Sequence, residues 1–299
     1  MITPLTLNDP SYPANDFKDV VKTIYQDLHL LISLSGQNTV ESTHQLRKKL
    51  KLFRSFLKLL QPCSGDHKAY KQANRTVRDW GRKFSDLRDA HVRNLMLEEM
   101  AQDSFFRSFL ETINELHQVN QKVVDSIENN LLKDELAFVK LDQSIKADKS
   151  IAAYLSSACI DKTCLLAGIA ESFEKAYNAY HFSNLHPSAE TLHDWRKRVK
   201  DQQYQFRFML NHLPSGCIAI HNEIDQLSDL LGRDQDLINF IKWIHKTPGL
   251  SAVGDCSGLT SLLKSRRNRL KNSLEHLGKT LYLEDPVQFK EKLFKESGL

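Results

Sequence analysis

The chain is 299 residues long, with 41% hydrophobic, 26% charged and 9% aromatic residues, a composition that excludes wholesale disorder. Gly and Pro number 11 and 8, too few for an all-β chain built on tight turns, and no apolar run approaches the roughly 18 residues of a membrane span. The net charge of +4 conceals a concentration: the segment from His44 to Arg88 holds 13 Lys/Arg against 3 Asp/Glu.

In chain order, apolar residues recur every three to four positions, the signature of amphipathic helices. Asp16 is placed to cap a first helix whose face carries Phe17, Val20, Val21, Ile24, Leu28 and Leu31. Ser42 is placed to cap a second, which runs to about Leu60 and stops before Pro62. Helices are expected from Asp66 to Phe84, from Asp89 to Met100 and from Ser104 to about Asn130, followed by a polar passage through Asp134 and Asp148. A long helical stretch from Ser150 to Phe182 comes next, and Ser188 is placed to cap a helix ending near Leu213-Pro214. Further helices are expected over 216–231, 234–246 and 258–278, with a short one after Pro286 and a loop from Thr247 to Gly258 marked by Pro248, Gly249, Gly254 and Gly258. The fold class is all-α, built of helical bundles.

Five cysteines (63, 159, 164, 217 and 256) form an odd set without a CxxC pair. They read as free thiols in a reducing cytosol rather than a disulfide framework or a zinc site. The first twenty residues lack the basic start and apolar stretch of a secretory signal, so a cytoplasmic protein is expected.

The chain repeats itself. HQLRKKLKLFRSFLKLL, from His44 to Leu60, matches HDWRKRVKDQQYQFRFML, from His193 to Leu210. Setting His44 on His193 places Arg47 on Arg196, Lys48 on Lys197, Lys49 on Arg198, Lys51 on Lys200 and Lys58 on Arg207. An Arg-Asp pair follows each copy, Arg88-Asp89 and Arg233-Asp234. Two halves are therefore expected, near 1–149 and 150–299, packed about an approximate two-fold axis with like surfaces facing.

At about 100° per residue, Arg47, Lys48, Lys51, Arg54 and Lys58 fall within about 120° of arc around His44. Leu46, Leu50, Phe53, Leu57 and Leu60 take the opposite side. The second copy carries His193, Arg196, Lys197, Lys200 and Arg207, with Gln203 where the first has Arg54. Four like-charge pairs three or four residues apart cost the first helix about 1–2 kcal/mol in isolation. A helix face that only solvates the protein ordinarily mixes its signs, so the recurrent stripe points to an anionic ligand. Lys71, Arg75, Arg78 and Arg82 form a third basic row at 4-3-4 spacing, and Lys264, Arg267 and Lys271 a fourth, for which plain solubilising charge is an equal reading.

This pattern resembles the conserved histidine α-helical domain, or CHAD, family. The carriers are His44-x-x-Arg47-Lys48-x-x-Lys51-x-x-Arg54, His193-x-x-Arg196-Lys197-x-x-Lys200, and the Arg-Asp pairs at 88–89 and 233–234. The resemblance implies two pseudo-symmetric four-helix bundles around a central basic cleft that binds inorganic polyphosphate without catalysis. It further implies a cytoplasmic protein that associates with polyphosphate granules. Gln203 stands where the family usually keeps a base, and His91 replaces the acid found at the matching Asp236. The E-x-E-x-K motif of a fused triphosphate-processing domain is missing, so a stand-alone binding module is expected.

The expected polyphosphate ligands are His44, Arg47, Lys48, Lys51, Arg54, Lys58, Lys71, Arg75, Arg78, Arg82 and Arg88, then His193, Arg196, Lys197, Lys200, Arg207, Arg233, Arg267 and Lys271. Arginine suits phosphate through paired donors, lysine through a compact charge that tolerates sliding. The histidines, set among cations, should resist protonation until phosphate binds. Asp89 and Asp234 are acceptors, read as orienting a neighbouring basic side chain or as helix-start residues. No cofactor and no metal are expected, and phosphate or sulfate ions could mimic the polymer. Nucleic acid is the first rival partner, but its single-stranded binders use exposed aromatic platforms, whereas Phe53, Phe56, Trp195 and Phe206 fall off the basic arc. A phosphate-processing enzyme is the second rival, although no acidic cluster, P-loop or H-E-x-x-H motif accompanies the stripes. Phe105, Phe106 and Phe109 read as core, with an interaction surface as the other reading.

Overall fold

Helices account for nearly all of the chain. A computed structural model describes residues 13–36, 39–133, 136–250 and 253–299. In order these form α1 (Pro13–Ser33), α2 (Thr39–Leu59), α3 (His67–Arg82), α4 (Ser85–Gln102), α5 (Leu110–Lys133), α6 (Leu136–Ala147) and α7 (Ser150–Ser156). Then follow α8 (Lys162–Leu185), α9 (Ala189–Met209), α10 (Gly216–Lys246), α11 (Cys256–Leu281) and α12 (Pro286–Glu296). Short 3-10 turns cover Gln61–Cys63, Ser104–Phe109 and Leu210–His212. No β-ladder forms among the described residues, where an isolated bridge joins Ser64 to Ala158. The all-α expectation holds.

Local chemistry explains most boundaries. Asp66 caps α3 by accepting from the Ala69 amide at 2.8 Å. Ser188 caps α9 in a reciprocal box with Thr191. Other expectations need correction. Ser42 is not a cap: α2 starts a turn earlier at Thr39, because Val40 packs against the small cluster of Leu87, Ala90 and Val124. Asp16 lies inside α1. Asp134 lies outside the described residues. The passage expected to be polar contains α6, whose Phe138, Leu141 and Ile145 are buried at helical spacing, with Phe138 against Phe84. Four apolar residues among many charges were enough once α1 offered a surface.

The expected stretch from Ser150 to Phe182 breaks between α7 and α8. Asp161 caps α8 there by accepting from the Cys164 amide, while the Cys159 amide bonds the Cys63 carbonyl at 2.9 Å. Conversely, 216–231 and 234–246 form one helix. Gly232 does not interrupt α10, because Leu231, Asp234, Leu237 and Ile238 continue its buried face. The cysteine expectation is also corrected. Cys63 and Cys164 form a disulfide that ties the turn after α2 to α8, leaving Cys159, Cys217 and Cys256 free.

The largest hydrophobic cluster draws on both repeats. Phe53 and Phe56 of α2, Phe173 of α8 and Trp195, Phe206 and Phe208 of α9 are all buried in it. At its centre α2 meets α8 closely: a Cβ on Gly168 would sit 2.3 Å from the Leu59 carbonyl oxygen. A second cluster joins α4 and α5 to the C-terminal part of α10 and the start of α11, through Leu97, Phe106, Leu116, Phe240 and Leu259. Of the three adjacent phenylalanines, Phe106 is therefore core, Phe109 is partly buried and Phe105 is exposed.

Candidate functional site

The apolar side of α2 anchors the site: Leu46, Leu50, Phe53, Leu57 and Leu60 are all buried. That leaves the basic arc facing away from the core, toward α3 and α9. Lys49 is the exception, turned inward to a buried ion pair with Asp27 at 2.6 Å. A buried pair of this kind holds α1 on α2 and contributes no free charge.

Between α2 and α3 runs an open groove of about 470 Å³, lined by Arg47, Lys51, Arg54, Arg78 and Arg82 and by no carboxylate. Two of these cations are fixed by neutral acceptors. Arg47 donates to the Gly81 carbonyl at 2.9 Å and to the Ser85 hydroxyl at 2.6 Å, pinning α2 to the corner between α3 and α4. Arg54 donates from Nε to the Asn74 side chain at 2.9 Å. These bonds hold each guanidinium in place without cancelling its charge. Arg78 leans on the neighbouring Asp79. Lys71 and Arg75 share the helix but stand outside the groove lining, exposed to solvent.

Lys51 is where the two repeats meet electrostatically. Its tip reaches solvent, yet it makes neither a hydrogen bond nor an ion pair with any described residue. Packing in the concavity and the neighbouring charges of Arg47, Arg196, Arg88 and Lys200 push its pKa down to about 8. Two of those four neighbours belong to the first copy's half and two to α9. Cations of both basic rows therefore act on Lys51. His44 is also held below the ordinary histidine range, by burial and then by Arg88. Lys48 is exposed and is not part of the groove lining.

The second repeat carries its own counter-charges. Lys200 donates to the Ser228 hydroxyl at 3.0 Å and lies over the Tyr204 ring. Burial lowers its pKa, and Asp229 opposes that shift. Lys197 pairs with Asp194, and Arg207 approaches Asp225 at 3.7 Å. Gln203, replacing the expected base, donates to the same Asp225 at 2.7 Å. His193 bonds Gln235 at 2.7 Å. Lys58, from the first repeat, is held by Asp201 across the α2–α9 contact.

The Arg-Asp pairs diverge. Asp234 is nearly fully buried and accepts from Arg267 at 2.7 Å, which joins α10 to α11. It sits mid-helix, so its reading as a helix-start residue is wrong, and Arg267 is occupied by it. Asp89 is the fifth residue of α4 and is exposed, with Arg47, Arg88 and Arg93 in its field. Arg88 and Arg233 do not line the α2–α3 groove; they line a separate cavity. Lys271 is exposed on α11, outside both linings.

Asp201, Asp225 and Asp236 were missed as partners of the stripe. Asp236 sits within reach of Arg196, Arg88 and Lys51, and burial raises its pKa against their pull. Asp201 was visible directly after Lys200 in the second copy; the other two needed α10 to be placed against α9.

Packed helices with Lys/Arg rows beside a groove lined by five cations define a class of helical protein with a basic groove. The comparisons give the family. A family model described as the CHAD domain matches residues 27–245, and the chain belongs to that family. The crystal structure of the CHAD domain from the plant Ricinus communis resembles it with a TM-score of 0.63 at 13% identity, covering 99% of this chain and 95% of that one. At that identity the likeness is one of fold. Among curated proteins, none matches this sequence.

Proposed function

We propose that the α2–α3 groove, faced by Arg196 and Lys200 of the second repeat, binds inorganic polyphosphate and does so without catalysing its conversion. The observation that carries this reading is Lys51: an ammonium without a hydrogen bond or ion pair to any described residue, crowded by four cations from both repeats, with Asp236 as a carboxylate in the same field. Such an arrangement is unfavourable in the empty protein and is relieved by an anion. Phosphate oxygens can reach Lys51 and the unconsumed donors of Arg47, Arg54, Arg78 and Arg82 together, and a flexible polymer satisfies them in more than one register.

The reading favours an inorganic chain over nucleic acid because the rings carried by the two basic helices, α2 and α9, are taken up by the core. Phe53, Phe56, Trp195 and Phe206 are all essentially inaccessible. Among the described residues no group of three or more His, Cys, Asp or Glu is placed to hold a metal ion, and no helix is long and apolar enough to cross a membrane.

Charge reversal tests the proposal. Lys51→Glu and Lys200→Glu are expected to abolish retention of long-chain polyphosphate while leaving helicity by circular dichroism unchanged. Retention equal to the parent in both variants would remove the groove from the function. Competition by single-stranded RNA at physiological salt separates the two partners: weak displacement supports polyphosphate, and full displacement at equal phosphate concentration supports nucleic acid.

A further inference from the structure

A second cavity, of about 400 Å³, lies between α4, α10 and α11. Its size falls within the range of pockets that enclose small organic ligands. Its chemistry differs from that of the groove. Val92, Leu95 and Met96 of α4 face Leu263 and Leu270 of α11 to make an apolar floor and walls. An inorganic anion has no use for such a surface. Arg88, Arg233 and Arg266 supply positive charge at its edge, and Glu99, Asp103 and Asp236 supply acceptors.

We propose that this cavity is a nucleoside-phosphate site, with the base on the apolar surface between α4 and α11 and the phosphates toward Arg88 and Arg233. Four observations select that class among amphipathic anions. Of the carboxylates, Asp103 is held by Arg266 and Asp236 lies in the field of Arg88. Glu99 has no side-chain partner among the described residues, and a plain hydrocarbon tail would leave it desolvated, whereas the exocyclic amine and ring N–H groups of a base can donate to it. Arg266 stands in the lining, hydrogen-bonded to Asp103 at 3.2 Å and with its guanidinium carbon 5.5 Å from the Phe106 ring centre. That leaves a planar cation for a heteroaromatic ring to stack on. Arg88 has a buried Nη1 with no acceptor, so the protein itself does not consume its donors. Leu95, 42% exposed at the rim, is an apolar residue that a bound base would cover.

Arg88 also stands close enough to Lys51 to perturb it. Phosphates leaving the cavity past Arg88 therefore head toward the α2–α3 groove. The nucleoside site does not require that groove to bind polyphosphate, and the test keeps the two apart.

The probe is ATP, measured by isothermal titration calorimetry on the full chain beside inorganic triphosphate and dodecyl phosphate. ATP is expected to bind about tenfold or more tightly than triphosphate, a difference of about 1.4 kcal/mol assigned to the nucleoside. Leu95→Trp, which fills the mouth from an exposed position, and Arg266→Ala are each expected to weaken ATP about tenfold. Both should leave polyphosphate retention unchanged. Lys51→Glu should abolish that retention and keep ATP binding within about threefold, because Lys51 lies outside the cavity. Equal affinity for ATP and triphosphate, ATP binding lost in Lys51→Glu but intact in Leu95→Trp, tighter binding of dodecyl phosphate than of ATP, or no ATP heat up to about 1 mM would each overturn the proposal.

Discussion

Under the proposed polyphosphate binding, Lys51 is expected to make affinity depend on pH above neutrality. In the empty protein its pKa is about 8, against an ordinary lysine value of 10.5. A polyanion laid across it restores the proton's favourable surroundings and returns the pKa toward the ordinary value. Linkage between those two values sets an upper limit of about tenfold tighter binding at pH 7 than at pH 9, since the empty lysine is mostly charged at the lower pH and mostly neutral at the higher. Lys51 is exposed, and solvent screening brings the expected gain down to about threefold. The ligand-free fold shows the reverse trend: the unfolded chain holds the proton more tightly, so stability rises with pH from about 8 toward 10.5. The assay is polyphosphate affinity measured at constant ionic strength from pH 7 to pH 9, in the parent and in Lys51→Arg. Arginine keeps its charge throughout and should flatten the profile. A Lys51→Arg profile as steep as the parent's would refute the reasoning, because the titrating group would then lie elsewhere.

Asp201→Asn removes the carboxylate that occupies Lys58 and faces Arg54. Polyphosphate binding should tighten several-fold, and its salt dependence should steepen by about 0.7 per released charge; unchanged affinity and slope would show that Lys58 lies outside the ligand's path. Gly168→Ala forces a methyl group into the α2–α8 contact, where the nearest atom is a backbone oxygen that cannot swing away. Denaturant unfolding should show a loss of about 1–3 kcal/mol, and a neutral result would mean the helices separate freely. Cys63→Ser opens a crosslink spanning 101 residues. The expected loss is about 3–5 kcal/mol, and alkylation of the unreduced, unfolded parent should label Cys159, Cys217 and Cys256 only. Labelling of all five would contradict the bond.

The helical stretches with a long, continuous apolar stripe were legible without coordinates. The α2 face, the helix beginning near Asp66, the Ser188 cap and the short helix after Pro286 follow from residues within a few positions of one another, and short-range rules govern them. Where the reading failed, a distant surface decided. α6 exists because α1 and Phe84 cover its short apolar face. α10 runs through Gly232 because its buried side continues across the break that composition suggested. The Cys63–Cys164 pairing was hidden because spacing along the chain says nothing about two sulfurs brought together by the contact between the turn after α2 and α8.

The amino-acid order alone determined the helical class, the duplication and the presence of matched basic rows, because each is a periodic property of one segment. Which of those charges remain uncompensated was a tertiary matter. Asp201, Asp225 and Asp234 pair with Lys58, Arg207 and Arg267 across helix contacts, whereas Arg47 and Arg54 are hydrogen-bonded by neutral acceptors and have carboxylates only at longer range, as Lys51 has Asp236. Coulomb interactions depend on distance in space and on the surrounding medium, and neither is set until the helices have packed.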